Sequence, residues 1–281
     1  MKLLRFGPEG QEKPGLLDAA GVVRDASAHV ADWAGEALSP AALARIAALD
    51  HGALPVVAPG TRLGPPVAGT RNFVAIGLNY ADHAAETGAP IPKEPIVFLK
   101  SLNAIAGPDD AVAIPPGSVK TDWEVELAFC VGTRAKNVPE EQALAHIAGY
   151  LICNDVSERE WQSERGGTWD KGKGADGFGP LGPWLVTPDE VPDPQNLAMR
   201  LEVDGEVMQN GSTRTMIFGV AHLLSYVSRF ITLHPGDIVT TGTPPGVGLG
   251  KKPHPVYLRA GQVMRAEIEG LGVQTQRLVQ G

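Results

Sequence analysis

Two glutamates between residues 122 and 131 have the spacing of metal ligands. Side chains alternate across a β-strand, so Glu124 and Glu126 point to one face while the apolar residues between and after them point to the other. Two like charges on one face of an apolar strand are unfavourable unless a positive group neutralises them. A hard divalent cation such as Mg²⁺, Mn²⁺ or Ca²⁺ suits carboxylate oxygens. The spacing is also compatible with a solvent-facing strand that carries two exposed glutamates.

A third carboxylate, Asp155, ends the apolar run at residues 150–154, where a strand terminus could present a ligand. The alternative is that Asn154 and Asp155 cap a helix predicted at residues 157–164. Arg159 follows four residues after Asp155 and supplies a positive partner. The sequence therefore contains three candidate carboxylate ligands, and a cation follows the third one four residues later in the chain.

Two further cations, Lys171 and Lys173, lie in the segment at residues 170–180. Its many glycines predict an irregular backbone that can approach a ligand closely. The segment lacks the Ser or Thr that a P-loop requires, and the glycines at residues 246–250 do not match the dinucleotide-binding spacing. The sequence thus argues against nucleotide binding.

A histidine and a glutamate form a candidate acid–base pair. On a helix, His83 and Glu86 share a face because they are three residues apart. A carboxylate on one imidazole nitrogen leaves the other nitrogen free as a general base. The alternative is a surface pair on a short helix.

The elements that must position these residues are mostly short strands, which predicts a β-dominated α+β fold. Gly and Pro number 34 and 24, which suits a turn-rich β protein. Asp204-Gly205 is the strongest hairpin signal. Residues 139–147 and 217–230 are predicted helices, and strands are predicted at residues 73–78, 96–99, 111–114, 123–131, 150–154, 201–203, 206–208, 237–241 and 265–268.

The length of 281 residues predicts two units. Residues 1–65 are expected to form a small N-terminal domain with short strands and a helix that starts at Pro40, with Ser39 as its cap. A Gly- and Pro-rich linker follows. Residues 70–281 are expected to form the catalytic domain.

Charge and hydropathy exclude several classes of function. The net charge of −8 is opposite to that of most nucleic-acid binders. No apolar run is long enough to span a membrane, and the N-terminus does not resemble a signal peptide. Cys130 and Cys153 lie in apolar runs without metal-site spacing. We therefore expect a cytoplasmic protein with reduced core cysteines, which binds neither nucleic acid nor membrane.

Six motifs in order resemble the fumarylacetoacetate hydrolase family, over roughly residues 70–270. The first 65 residues resemble the small N-terminal domain of many bacterial members, with a weaker signal. The motifs are Gly77–His83, Pro95–Lys100, Asp122–Leu127, Asn154–Arg159, Lys173–Pro180 and Thr241–Gly246.

The resemblance implies a mixed β-roll core, a homodimer and one Mg²⁺ or Mn²⁺, with Ca²⁺ as a substitute. Glu124, Glu126 and Asp155 match the metal-binding positions, and the substrate is expected to be a small anionic 2-oxo acid. Three protein ligands leave about three octahedral positions open. A 2,4-dioxo acid could fill two of them through its carboxylate and 2-oxo oxygens.

The family also implies roles for other residues. His83 and Glu86 match the pair that activates water for attack at C4, and Lys173 matches the lysine that stabilises the pyruvate enolate. Substrate contacts are expected from Arg159, Gln162, Thr243, Tyr80 and Lys100, with Thr243 expected to contact the carboxylate. The expected reaction is hydrolysis of a C–C bond in an acylpyruvate or diketo-deoxy sugar acid, which releases pyruvate.

Other reactions on the same scaffold remain open. They include decarboxylation of oxaloacetate-like acids, isomerisation of hydroxymuconate-type dienes, hydration of hydroxydienoates and ureidoglycolate lyase activity. The presence of both His83 and Glu86 favours the hydrolase, since the other reactions need no attack of water at C4. The chain also resembles proteins labelled ureidoglycolate lyases and hydrolases of diketo-deoxy sugar acids, and its length and N-terminal domain favour the second group. A catalytically silent binding protein is a more remote alternative, because no key residue is lost.

Overall fold

Strands dominate the architecture of the computed structural model, which describes residues 1–281. The strands are β1 (Lys2–Phe6), β2 (Lys13–Leu17), β3 (Val23–Asp25), β4 (Leu63–Gly64), β5 (Phe73–Gly77), β6 (Ile96–Leu99), β7 (Ile105–Ala106), β8 (Val112–Ile114), β9 (Thr121–Asp122), β10 (Val125–Val131), β11 (Ile147–Asn154), β12 (Ser157–Glu158), β13 (Gly179–Val186), β14 (Ala198–Val203), β15 (Glu206–Ser212), β16 (Ile238–Thr240), β17 (Val263–Ile268) and β18 (Gly272–Gln280). The predicted β-dominated α+β fold is confirmed.

Helices are few and short. The α-helices are α1 (Pro40–Ala47), α2 (Ala81–Thr87), α3 (Arg159–Ser163), α4 (Asp170–Lys173) and α5 (Val220–Phe230). The 3-10 helices are Gly35–Leu38, His51–Ala53, Leu102–Ala104, Glu140–His146, Pro188–Glu190, Thr213–Thr215 and Gly248–Gly250. None of these helices is long and apolar enough to cross a membrane.

Two sheets carry most of the strands. An 11-stranded sheet has the order β3-β2-β1-β13-β11-β10-β16-β5-β6, with β4 beside β1 and β7 beside β13. A 5-stranded sheet has the order β15-β14-β17-β18-β8. The central strands β10 and β11 are antiparallel, with Val125 opposite Asn154 and Glu126 opposite Cys153. This register brings the start of β10 beside the end of β11.

The two faces of β10 belong to different cores. Val125, Leu127 and Phe129 are fully buried in a cluster of 37 residues that includes the 5-stranded sheet and α5. Ala128 and Cys130 are buried in a second cluster of 18 residues. The alternation predicted from the sequence is therefore present, and it places Glu124 and Glu126 at one end of the second face.

The N-terminal residues continue the large sheet. Strand β1 pairs with β13 through Lys2 and Leu3, and Leu3 and Trp33 share the smaller core with Ala128. Ser39 caps α1 by accepting a hydrogen bond from the Ala42 backbone amide, as predicted. The division at residues 65–70 into two domains stays a prediction.

Several local predictions need correction. Strand β18 was not among the predicted strands, and it contributes nine residues to the second sheet. Residues 170–173 form the short helix α4 despite their glycine, so this part of the segment is regular. Residues 140–146 form a helix, as predicted, and its conformation is 3-10. The Asp204-Gly205 hairpin is confirmed, with φ of 51° and 82° at the two turn residues.

Candidate active site

Three carboxylates meet where β10 begins and β11 ends. Glu124 immediately precedes β10, Glu126 is its second residue, and Asp155 immediately follows β11. The Asp155 backbone amide donates to the Glu124 carbonyl oxygen at 2.8 Å, which extends the ladder by one bond. One ligand oxygen from each of the three side chains lies within 4.8 Å of the others. The predicted convergence of these carboxylates is therefore present.

Burial decides between the interpretations that the sequence left open. Glu124, Glu126 and Asp155 are 6%, 1% and 1% exposed, so the solvent-facing strand is excluded. The helix α3 is capped by Glu158, whose carboxylate accepts from the Glu160 backbone amide at 3.0 Å. Asp155 is thus free of the capping role.

Three buried cations surround these carboxylates. The Lys173 ammonium donates to Glu124 and to Asp155, each at 2.7 Å. The Arg159 guanidinium lies 2.6 Å from the second oxygen of Glu124, and Lys100 donates to the second oxygen of Asp155 at 2.5 Å. Burial alone would raise the pKa of Glu124. The positive charges of Arg159 and Lys173 outweigh this effect and lower the pKa to about 2.

Glu126 differs from its neighbours because no cation contacts it. Its carboxylate accepts a hydrogen bond from the Gly242 backbone amide at 2.9 Å and forms no ion pair. Burial, followed by repulsion from Asp155 and Glu124, raises the pKa of Glu126 well above its ordinary value.

The balance of charge in this cluster favours a cation. Four buried carboxylates face three buried cations, which leaves a formal charge of −1 when all are ionised. The carboxylates are Asp122, Glu124, Glu126 and Asp155, and the cations are Lys100, Arg159 and Lys173. Oxygens about 2.1 Å from one Mg²⁺ are at most about 4.2 Å apart, so this set needs little contraction. The residues present therefore fit a hard divalent cation.

The predicted acid–base pair is formed on α2. His83 Nδ1 lies 3.0 Å from Glu86 Oε2. Glu86 Oε1 also accepts from the Gly246 backbone amide at 3.0 Å, which ties the helix to the loop after β16. Because the carboxylate accepts only, it selects the tautomer with the proton on Nδ1. His83 Nε2 is then the nitrogen available to a substrate or water.

The hydroxyl of Thr243 has a fixed direction. Gln209 Oε1 must face the Val125 amide, from which it accepts at 2.9 Å, so Gln209 Nε2 donates to Thr243 Oγ1 at 2.8 Å. The Thr243 hydroxyl consequently donates to the Val125 carbonyl oxygen at 2.9 Å. With these two bonds in place the hydroxyl keeps only a lone pair, and its expected contact with the substrate carboxylate stays a prediction.

Arg159 is held in place by Asp122, which the sequence reasoning did not select. Asp122 accepts from Arg159 Nε at 2.8 Å and from the backbone amides of Gly248 and Leu249 at 2.7 and 2.9 Å. Arg159 Nη1 also donates to Gln162 Oε1 at 3.1 Å. The arrangement leaves the Gln162 amide group free to donate. Asp122 lies two residues before Glu124 in the sequence, and this closeness to a candidate metal ligand could have indicated that Asp122 belongs to the site.

Most of the side chains described above line one pocket of about 240 Å³. Its charged and polar lining residues are His83, Thr87, Glu124, Glu126, Asp155, Arg159, Gln162, Ser163, Lys173 and Thr243. Its apolar wall includes Phe98 and Trp169, whose rings meet edge to face with centroids 5.2 Å apart. A larger groove of about 870 Å³ lies elsewhere and contains none of these residues.

Two expected substrate contacts are not brought to the pocket. Tyr80 is fully buried, and its hydroxyl donates to the sulfur of Met199 at 3.2 Å. Lys100 is 3% exposed, and its ammonium is occupied by Asp155 and the Lys173 carbonyl oxygen. Neither residue is among those that line the pocket, and their contacts with substrate stay predictions.

Comparison with known proteins agrees with the resemblance of the motifs. Residues 72–279 match the family model described as "Fumarylacetoacetate (FAA) hydrolase C-terminal". A protein of Burkholderia cenocepacia (strain HI2424) that is named as a hydrolase is 63% identical over 277 residues, covering 99% of this chain and 98% of the relative.

Solved structures share the fold over the whole chain. A fumarylacetoacetate hydrolase from Exiguobacterium antarcticum has a TM-score of 0.84 at 34% identity, with 100% of both chains covered. A 2-hydroxyhepta-2,4-diene-1,7-dioate isomerase from Mycobacterium marinum has a TM-score of 0.76 at 30% identity, covering 100% of this chain and 98% of the other. Both a hydrolase and an isomerase are thus among the relatives.

Proposed function

The chain belongs to the fumarylacetoacetate hydrolase family, and from that premise we propose that it hydrolyses the C3–C4 bond of a 2,4-dioxo acid in a divalent-metal-dependent reaction. The overall change adds one water to R–CO–CH₂–CO–COO⁻ and gives R–COOH and pyruvate. The acyl carbon gains the hydroxyl group, and C3 gains a proton. A metal ion held by Glu124, Glu126 and Asp155 would supply positive charge that stabilises the pyruvate enolate.

The His83–Glu86 pair is the observation that carries this proposal. Glu86 accepts a hydrogen bond from His83 Nδ1, so His83 Nε2 is free to remove a proton from water. His83 lines the same pocket as the three carboxylates, and attack at C4 needs such a base. Decarboxylation of an oxo acid would require mainly an electron sink. The pair therefore favours hydrolysis.

Lys173 and Arg159 provide the remaining positive charge for the substrate. Although burial opposes its charged form, Asp155 and Glu124 raise the pKa of Lys173, so it stays an ammonium at neutral pH. Two of its protons are bonded to carboxylates, which leaves one for an enolate oxygen. The free amide group of Gln162 can donate to a second substrate oxygen.

The test is pyruvate release from a panel of 2,4-dioxo acids by the purified protein, with Mg²⁺ and with EDTA. We expect pyruvate and the free acid in equal amounts with Mg²⁺, and no turnover after chelation. Turnover that survives complete removal of metal would contradict the metal dependence. Absence of pyruvate from every dioxo acid in the panel would contradict the hydrolase.

Isomerisation is the second candidate, because a 2-hydroxyhepta-2,4-diene-1,7-dioate isomerase is among the solved relatives. It moves a proton along a conjugated acid and adds no water. The same panel distinguishes the two, since isomerisation changes the ultraviolet spectrum without releasing pyruvate.

A further inference from the structure

The pocket has an uncharged part that is not used by the proposed chemistry. It is formed by Ile76, Leu78, Phe98, Trp169 and Leu249. The Trp169 ring rests on Gly77, because a Cβ at that position would lie 2.3 Å from the ring. Phe98 meets Trp169 edge to face and so supports it. These contacts give the pocket a fixed aromatic wall.

The pocket lining holds no lysine or arginine beyond the two that the proposed reaction already uses. The lysines and arginines that line the pocket are Lys173 and Arg159, and both are paired with carboxylates. The lining has three acids and two such bases, so its formal charge is −1 when all are ionised. A divalent metal and one substrate carboxylate together bring the formal charge to zero. A second substrate carboxylate would leave a negative charge with no partner.

The hydroxyl groups of the pocket are not free donors either. Thr87 donates to the His83 carbonyl oxygen at 3.0 Å, and Ser163 donates to the Arg159 carbonyl oxygen at 2.8 Å. The hydroxyl of Thr243 donates to the backbone as described above. A carboxylate needs donors, so these three hydroxyls do not serve one.

We propose that the substrate is a monocarboxylate whose acyl group is short and uncharged. The uncharged lining residues of the pocket, which include Trp169 and Leu249, select against a second carboxylate. This inference rests on the proposed function and narrows its substrate class. The pocket volume of about 240 Å³ limits the length of the acyl group, because the same pocket must also hold the pyruvoyl unit. Burying an unpaired charge is unfavourable, and this supplies the discrimination.

The test compares butanoylpyruvate with succinylpyruvate, which has the same four-carbon acyl chain ending in a carboxylate. With the Mg²⁺-loaded wild-type protein, we expect kcat/KM for butanoylpyruvate to be higher by about 10²-fold. Equal values, or a preference for succinylpyruvate, would overturn the inference while leaving the hydrolase proposal in place.

A variant adds the missing cation. Leu249 is 44% exposed, so Leu249→Arg places a guanidinium at the rim of the pocket without removing a core side chain. We expect the ratio of kcat/KM for succinylpyruvate over butanoylpyruvate to rise by about 5- to 10-fold. Leu144, 48% exposed and absent from the pocket lining, is the matched control, and Leu144→Arg should leave the ratio unchanged. Equal ratios in the two variants would contradict the role of Leu249.

Failure of the proposed function is recognised separately. If neither compound nor any other acid of the panel is cleaved, the hydrolase is contradicted, and binding of the two compounds is measured by calorimetry with Mg²⁺ present. Tighter binding of butanoylpyruvate would then still support the uncharged wall. Equal or tighter binding of succinylpyruvate would overturn it.

Discussion

Glu126→Gln should weaken Mg²⁺ binding without lowering the stability of the metal-free protein. Glu126 is 1% exposed and has no cationic partner, and its raised pKa shows that ionising it in the metal-free protein is unfavourable. The amide has almost the same shape and no charge. We therefore expect the metal-free variant to unfold at the wild-type temperature or slightly above it, while its affinity for Mg²⁺ falls.

The magnitude follows from linkage between binding and folding. At a Mg²⁺ concentration 100 times Kd, binding stabilises the wild-type protein by about 2.7 kcal/mol. If Glu126→Gln raises Kd by about 100-fold, the same concentration stabilises the variant by only about 0.4 kcal/mol. For a chain of this size, the shift in Tm caused by Mg²⁺ should fall from about 5–10 °C to about 1 °C.

The assay is thermal unfolding with EDTA and with Mg²⁺, for wild type, Glu126→Gln and a control. Glu141 is exposed and forms no ion pair, so Glu141→Gln should keep the full Mg²⁺ shift. A full Mg²⁺ shift in Glu126→Gln would refute the assignment of Glu126 as a ligand. A large loss of Tm in its metal-free form would refute the argument from unneutralised charge.

Further predictions concern the base, the lysine, the lid and the aromatic wall. His83→Ala should reduce pyruvate release from a 2,4-dioxo acid by about 10²–10⁴-fold while Mg²⁺ binding persists, and any activity on oxaloacetate should fall much less; near wild-type cleavage would remove His83 as the base. Lys173→Ala should reduce kcat by about 10²-fold or more, and an unchanged kcat would exclude it from the mechanism. Residues 79–95 comprise the seven-residue helix α2 and a loop with three prolines, and they should act as a lid, so hydrogen exchange in this segment should slow when a substrate analogue binds; identical exchange would contradict gating. Gly77→Ala should displace Trp169 and raise KM for acylpyruvates, whereas an unchanged KM would show that the ring position is unimportant.

Local pattern was sufficient to predict the carboxylate cluster. The alternation at Glu124 and Glu126 is a property of one strand, and Asp155 is brought to them by direct pairing of β10 with β11. The His83–Glu86 pair is likewise set by one turn of helix. Each of these features depends on few residues that are close along the chain or in adjacent strands.

Contacts between distant segments could not be predicted in this way. Gln209 reaches Thr243 from the second sheet, and nothing near either residue in the sequence indicates that they meet. Tyr80 lies beside the base-bearing helix, yet it points into the core toward Met199 rather than into the pocket. Lys100 was expected to contact substrate, and in the structure its ammonium donates to Asp155. In each case the direction of the side chain is set by tertiary packing.

The central claim, that this pocket adds water across a C–C bond, is tested most directly with ¹⁸O-labelled water. Wild-type protein, Mg²⁺ and an acylpyruvate are incubated in labelled water, and the acid product is analysed by mass spectrometry. The account predicts one solvent-derived oxygen in the carboxyl group of the released acid, formed together with pyruvate. Turnover that yields no labelled acid, as in decarboxylation or isomerisation, would contradict it.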